Sequence, residues 1–179
     1  PARYPFERVF AAAELASSLQ PDAIPVLKEL LTDRDSAVRY WGALGLLMRG
    51  APGLQAARSE LAAALKDSSP YVRIAAAETL GQFGTAADLP VVVPLLTGLA
   101  DWSQHDVFVV MAALHAIEAL GPKAASAKAA LLTLPTEGPA PHSRYVAYVP
   151  RLLTRLKSQL GVAAAAPESA PKAKKRNKK

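Results

Sequence analysis

The chain has 179 residues, with 21 Lys and Arg, 15 Asp and Glu and no Cys, which gives a formal net charge of +6. This length suits one domain with a sizeable core. The lack of Cys excludes disulfides, thiolate metal sites and a cysteine nucleophile, and no apolar run approaches the roughly 20 residues that span a bilayer.

The positive charge is concentrated at the C-terminal end. Residues 162–179 contain six bases and one acid, whereas residues 1–161 contain 15 bases and 14 acids. A charged, low-complexity segment cannot bury a core, so we expect a disordered basic tail. Its bases either remain solvated or contact a polyanion. They are Lys172, Lys174, Lys175, Arg176, Lys178 and Lys179.

A sequence repeat organises the rest of the chain. Residues 33–50 and 67–84 align without a gap at an offset of 34, which pairs Asp33 with Asp67 and Arg39 with Arg73. A weaker copy begins the chain at an offset of 31, and a degenerate copy over 105–121 has lost the arginine. Units of this length that cannot bury an apolar face alone stack into solenoids.

Leu- and Ala-rich segments separate these copies, and their apolar residues recur at helical spacing. They cover 22–31, 54–66, 86–100 and 123–134. No segment alternates as a β-strand would. The sequence therefore predicts an all-α fold over residues 1–161: an α-solenoid of about four helix pairs, closed by a C-terminal capping helix over 142–160.

Polar residues, glycines and prolines mark the predicted helix ends. Asp35 and Ser69 stand at N-cap positions, and Pro70 at a first helical position. We expect left-handed C-terminal caps at the glycines that follow three helices: Gly50, Gly84 and Gly121. Pro94 predicts a kink or a late helix start, and Pro150 predicts a kink in the capping helix.

The repeat motif resembles that of HEAT-like repeats. It consists here of Asp67, Val72-Arg73, Ala76-Ala77 and Leu80-Gly81. Tetratricopeptide arrays share the period, but their Trp, Gly-Tyr and Pro positions are not matched. The resemblance implies that the Val-Arg helix is the inner helix of each pair. Residues 4–18 would then be an inner helix without an outer partner, so we expect the chain to begin in mid-repeat.

Residues 3–50 further resemble the HEAT-like region that follows the catalytic domain in some bacterial arylsulfatase-type enzymes. The similar pieces are 4–8, 12–16 and 36–43, and the likeness covers about 3–160. It implies a C-terminal fragment of a sulfuric ester hydrolase, in the periplasm or outside the cell, whose active site lies upstream of residue 1.

The sulfatase chemistry itself does not carry over to this chain. The family's Cys/Ser-x-Pro-x-Arg motif is only approached near Ser68, where Arg73 stands one place too late. The three histidines, His105, His115 and His142, lack the spacing of a metal site. We therefore expect no catalytic residue, metal or cofactor here.

Two sets of side chains are candidates for structural or binding roles. Asp33, Arg39, Asp67 and Arg73 are expected to form a ladder that bridges neighbouring repeats, with ligand binding by the two arginines as the alternative. Tyr40, Trp41 and Trp102 are expected either to pack in the core or to form an exposed binding surface.

Three functions remain open at this point. The chain is either a structural module that packs on an upstream catalytic domain of the same polypeptide, or a stand-alone scaffold that binds a protein segment along its inner helices. The third, a nucleic-acid binder, is disfavoured because the body is nearly neutral, so only the tail offers phosphate contacts.

Overall fold

A computed structural model describes residues 5–162, and every regular element in this range is helical. The nine α-helices are α1 (Phe6–Ser17), α2 (Ile24–Leu30), α3 (Ser36–Met48), α4 (Gly50–Ala64), α5 (Pro70–Phe83), α6 (Leu89–Leu99), α7 (Val107–Leu120), α8 (Lys128–Thr133) and α9 (Tyr148–Gln159). Three 3-10 segments join them: Pro21–Ala23, Gly121–Ala127 and Ser143–Tyr145. The predicted all-α solenoid is confirmed.

The helices form two layers. The inner layer consists of α1, α3, α5, α7 and α9, each packed along its length on the next. The outer layer consists of α2, α4, α6 and the 3-10 segment with α8. Outer helices pack mainly on inner ones and touch one another much less. The inner layer is thus the more closely spaced, which places it on the concave side of the array.

Small residues allow the inner helices to approach closely. Ala16, Ala43 and Ala77 are fully buried at helix contacts. At Gly45 a Cβ atom would lie 2.6 Å from a methyl of Leu27 and 3.1 Å from Ala16. A side chain there would displace the Leu27 side chain and crowd Ala16, so the close packing of α1, α2 and α3 relies on the Ala- and Gly-rich sequence at these positions.

The N-terminal caps follow the prediction in position and partly in chemistry. Asp35 caps α3, since its Oδ1 accepts hydrogen bonds from the main-chain N–H of Ala37 and Val38 at 2.9 and 3.4 Å. Ser69 stands at the N-cap of α5, but its hydroxyl makes no capping bond. Its N–H instead donates to Asp67 Oδ1 at 2.7 Å.

The three glycine predictions have different outcomes. Gly50 follows α3 with a φ of +63°, as expected. Gly84 does not adopt the left-handed region, because its φ and ψ are −83° and −165°. Gly121 has a positive φ of +55° but a ψ of −132°, outside the left-handed helical region. At Gly84 a close approach explains the glycine: a Cβ atom would lie 2.2 Å from the carbonyl oxygen of Leu80.

The proline expectations need correction in part. Helix α6 begins at Leu89 and continues through Pro94, so the late start is wrong and the kink at Pro94 stays a prediction. Pro150 does not lie in mid-helix, because α9 begins at Tyr148 and the 3-10 turn before it is separate. In the first turn of a helix the missing N–H has no intrahelical partner to lose, so Pro150 has no reason to kink α9.

The segment 107–133 is long and apolar enough to cross a membrane by length and composition alone. In the fold it consists of α7, the 3-10 segment and α8, with a break in backbone direction at Gly121. Helix α7 packs against α5, α6 and α9, and Leu114 and Ile117 are buried there. The packing of a core helix accounts for this apolar composition.

Trp102 is a core residue and not the surface residue that one interpretation expected. It is fully buried, and its indole N–H donates to the carbonyl of Pro139 at 2.9 Å. Gly138 lies against the ring, since a Cβ atom there would be 2.5 Å from the indole. The side chain thereby holds the connection between α8 and α9 against the loop between α6 and α7.

Candidate interaction surface on the inner helices

Ion pairs join successive repeats at the N-terminal ends of the inner helices. Arg39 of α3 binds the carboxylate of Asp67 with two hydrogen bonds, Nε to Oδ2 at 2.7 Å and Nη2 to Oδ1 at 2.8 Å. Both side chains are nearly buried, with 13% and 11% of their surfaces exposed. Arg8 of α1 makes the equivalent contact with Asp33.

The ladder thus connects Arg8 and Arg39 to the acid of the following repeat. Within its own repeat, Arg39 donates from Nη1 to the main-chain carbonyl of Asp33 at 2.9 Å. The Asp67 carboxylate is fixed further by the N–H of Ser69. The hydrogen bonds from Arg39 lower the pKa of Asp67 below its usual value, so the ion pair favours the ionised carboxylate in the fold.

The ion pair expected at the third arginine of the ladder is not formed among the described residues. Arg73, the remaining candidate, has no carboxylate partner among residues 5–162, and its buried Nε lacks a hydrogen-bond acceptor. The acid one repeat offset after Asp67 is Asp101. It does not contact Arg73, and it accepts hydrogen bonds from the N–H and hydroxyl of Ser103. Asp101 precedes its inner helix by six residues, whereas Asp67 precedes its own by three. The longer loop displaces the carboxylate.

Aromatic side chains form a row beside the ladder, at one end of the inner helices. Phe6, Tyr71 and Phe108 occupy the same repeat position, two residues before the repeat arginine or its replacement, and all three are exposed. The ring of Tyr40 meets that of Tyr71 at 6.3 Å between centroids. Phe108 meets Tyr145 at 5.0 Å.

From α3 to α9 the row extends across four of the five inner helices, and Phe6 of α1 stacks on Phe10 outside this part of the row. Tyr148 continues it beyond Tyr145 at 6.3 Å, and Trp41 packs on Tyr40 at 5.6 Å. Tyr40 and Trp41 are half-buried against the core and half-exposed on the inner face. The positions of these two residues therefore fit both of the alternatives that the sequence left open, whereas Trp102 fits core packing alone.

One half-buried acid lies on the same face. Glu78 of α5 accepts a hydrogen bond from Gln82 of its own helix at 2.7 Å. Burial and, after it, the charge of Glu78 raise the pKa of Tyr40 on α3, and His115 on α7 acts to lower the pKa of Glu78, so Glu78 has neighbours on both adjoining inner helices. Burial raises the pKa of the Glu78 carboxyl, and no Lys or Arg among the described residues pairs with it.

Two of the histidines, and the acid Glu118 of α7, have polar partners in the part of the chain that the structure describes. No three His, Asp or Glu side chains there are grouped to hold a metal ion. His115 contacts Glu118, and His142 accepts a hydrogen bond from the N–H of Arg144. A cleft of about 400 Å³ between α7 and α9 contains Glu118, already bound by Arg155. The six tail bases lie outside the described residues.

The comparisons with known proteins agree with the repeat. Residues 43–107 match the family model for HEAT repeats, a range that runs from the second half of α3 to the first residue of α7. The chain therefore contains a HEAT-like repeat region within an α-solenoid, a helical repeat of the interaction or scaffold type that is typically non-catalytic. No curated protein matches the chain.

Several residues of this surface were missed from the sequence. Arg8 and Asp101 follow from the repeat offsets, because each matches a known ladder position. The shared position of Phe6, Tyr71 and Phe108 could be found in the same way. Glu78 leaves no such signal, since the residues at the equivalent repeat positions, Leu44 and His115, are not acids.

Proposed function

We propose that this chain is a non-catalytic scaffold that binds a protein segment along the concave face of its inner helices. The observation that carries the proposal is the row of aromatic side chains. Tyr71 and Phe108 are 37% and 43% exposed, although the helices that bear them are otherwise well packed. Aromatic side chains are enriched at protein interfaces, and Trp and Tyr are prominent among the few residues that carry most of the binding energy there.

The shape of the surface supports an elongated partner. The row crosses neighbouring parallel helices, which lie about 8–10 Å apart. From α3 to α9 it therefore extends over roughly 25–30 Å, which an extended segment of about eight or nine residues would span. The ladder fixes the spacing of α1, α3 and α5, so the first part of the face is organised before any partner binds.

Selection of a displayed random-peptide library on the full chain tests this proposal. Selected peptides should bind the wild-type chain and lose at least tenfold in affinity for a Tyr71→Ala/Phe108→Ala variant. The matched control is Val91→Ala, because Val91 is an apolar residue of the outer helix α6 and is 57% exposed. Peptides that bind the double variant as well as the wild type would refute the concave-face assignment.

A second candidate is favoured by a different surface. Phe6 and Phe10 of α1 stack at 6.0 Å and are 61% and 51% exposed, which is a large apolar area for one helix. An upstream domain of the same polypeptide would cover it, and the resemblance of residues 3–50 suggests a sulfatase-type catalytic domain. The coding sequence before residue 1 tests this: another kind of domain, or none, contradicts it.

A further inference from the structure

The concave face carries a carboxylate without a counterion. Glu78 keeps one hydrogen bond, from Gln82, although a carboxylate offers about four acceptor positions. A partly desolvated charge is unfavourable unless a cation or several donors compensate it. The structure provides neither, so the site is electrostatically incomplete as it stands.

Three arginines of the inner helices are engaged with acids, and Arg73 of α5, which has no carboxylate partner among residues 5–162, stands five residues before Glu78 and about 140° away around the helix. Arg8 and Arg39 bind the ladder acids, and Arg155 binds Glu118. None of them reaches Glu78. A partner that meets this face at Glu78 therefore encounters an acid that no described Lys or Arg pairs with and whose neighbour His115 contacts Glu118. Charge complementarity at this position favours a positively charged segment.

The aromatic row fits the same ligand chemistry. Cations are attracted to the faces of aromatic rings at distances up to about 6 Å, and Tyr40 lies within the electrostatic reach of Glu78. The row already holds one guanidinium in this way: the Cζ atom of Arg144 lies 4.7 Å from the ring centroid of Tyr145. An incoming Lys or Arg would find a carboxylate and tyrosine rings together.

We infer that the concave face binds an extended protein segment bearing Lys or Arg, with Glu78 as the residue that receives one basic side chain between Tyr40 and His115. The inference rests on the proposed function and specifies the partner's chemistry. Glu78 supplies the charge that selects the segment, and the exposed rings of Tyr71 and Phe108, at the N-terminal ends of α5 and α7, supply contact area about 10 Å away along the helices.

Fluorescence anisotropy with the full chain tests this inference. The probe is a labelled, Ala-rich peptide of about ten residues, an extended span of roughly 33 Å, with Lys at alternate positions. The same peptide with Glu in place of Lys is the charge control. We expect the Lys peptide to bind at least tenfold more tightly, and Glu78→Gln to weaken the Lys peptide about tenfold.

The matched control variant is Glu29→Gln, since Glu29 is an exposed acid of the outer helix α2 and its replacement changes the net charge equally. It should leave affinity unchanged. Equal losses for Glu29→Gln and Glu78→Gln would overturn the inference, because the attraction would then be non-specific. Unfolding midpoints of both variants verify that each is folded.

The outcomes also separate this inference from the proposed function. Binding that depends on Tyr71 and Phe108 but not on the peptide's charge overturns the basic-segment inference and leaves the scaffold function standing. Failure of every peptide to bind contradicts both. A full-length variant with its six tail bases changed to Gln should bind the Lys peptide at least as well as the wild type. Loss of binding in that variant would place the recognition elsewhere and overturn the inference.

Discussion

The Arg39–Asp67 ion pair should be the strongest polar tie between repeats, and Arg39→Met tests it. Arg39 makes two hydrogen bonds with the Asp67 carboxylate and one with the carbonyl of Asp33. Its removal leaves the nearly buried Asp67 carboxylate with the N–H of Ser69 but without a cation. Breaking a buried pair in this way costs about 3–5 kcal/mol. We expect about 3 kcal/mol, since a small part of both side chains is exposed.

Urea unfolding followed by far-UV circular dichroism measures this loss. For a domain of this size, about 3 kcal/mol corresponds to a decrease in Tm of roughly 6–12 °C. Arg73→Met is the matched control, because Arg73 occupies the same repeat position but has no carboxylate partner among residues 5–162. It should change the free energy of unfolding by less than about 1 kcal/mol, the usual range for a residue without a specific interaction.

A double-mutant cycle with Asp67→Asn isolates the pair. We expect a coupling energy of about 1.5–3 kcal/mol, as found for residues within one charge network. Because Arg39 lowers the pKa of Asp67, the stabilisation is present above the ordinary aspartate pKa and disappears as pH falls through the lowered value. Additive effects within about 0.5 kcal/mol, or an equal loss in Arg73→Met, would refute the ladder reasoning.

Three further predictions concern other parts of the fold. Burial raises the pKa of Glu78, so the stability of the fold falls as pH rises from the ordinary glutamate pKa through the raised value. Glu78→Gln should therefore raise the Tm near neutral pH and leave the Tm unchanged in acid. A lower Tm of the variant at neutral pH contradicts this prediction. A Cβ atom at Gly53 would lie 2.2 Å from the carbonyl of Leu46, but Gly98 has open space. Gly53→Ala should therefore destabilise by about 1–3 kcal/mol and Gly98→Ala should stabilise by about 0.5–1 kcal/mol in urea titrations, and equal effects would contradict the packing. Trp102→Ala should cost about 3–5 kcal/mol in the same assay, while a loss below about 1 kcal/mol would show that the ring does not hold the α8–α9 connection.

The sequence was sufficient for the architecture because the repeat encodes local chemistry. Asp35, Pro70 and the small residues of the inner helices act within one helix or between neighbours in a regular array, so their positions predict their contacts. Gly84 shows the limit of this reasoning. Its need for glycine comes from the approach of the Leu80 carbonyl, which a rule based on helix ends does not contain.

The candidate site was less predictable because it depends on how one repeat meets the next. The ladder acids and arginines were recognisable by type, but the pairing of Arg39 with the following repeat requires the stacking geometry. The missing ion pair at Arg73 results from three additional residues in one loop. Glu78 becomes notable only through its neighbours on α3 and α7, which are far from it in sequence.

The missing ion pair at Arg73 makes the stiffness of the helix array uneven. Helices α1, α3 and α5 are joined at their N-terminal ends by ion pairs, whereas α5 is tied to the segment after α7 at the opposite end, where Lys123 donates to the carbonyl of Gln82 at 2.6 Å. Because this hydrogen bond joins the two helices at one end only, α7 can rotate relative to α5 about that end. The distance between Tyr71 and Phe108 can then increase or decrease without the loss of an ion pair. Under the proposed function, we expect the concave face to have one fixed half and one adjustable half, an arrangement that suits segments of differing width.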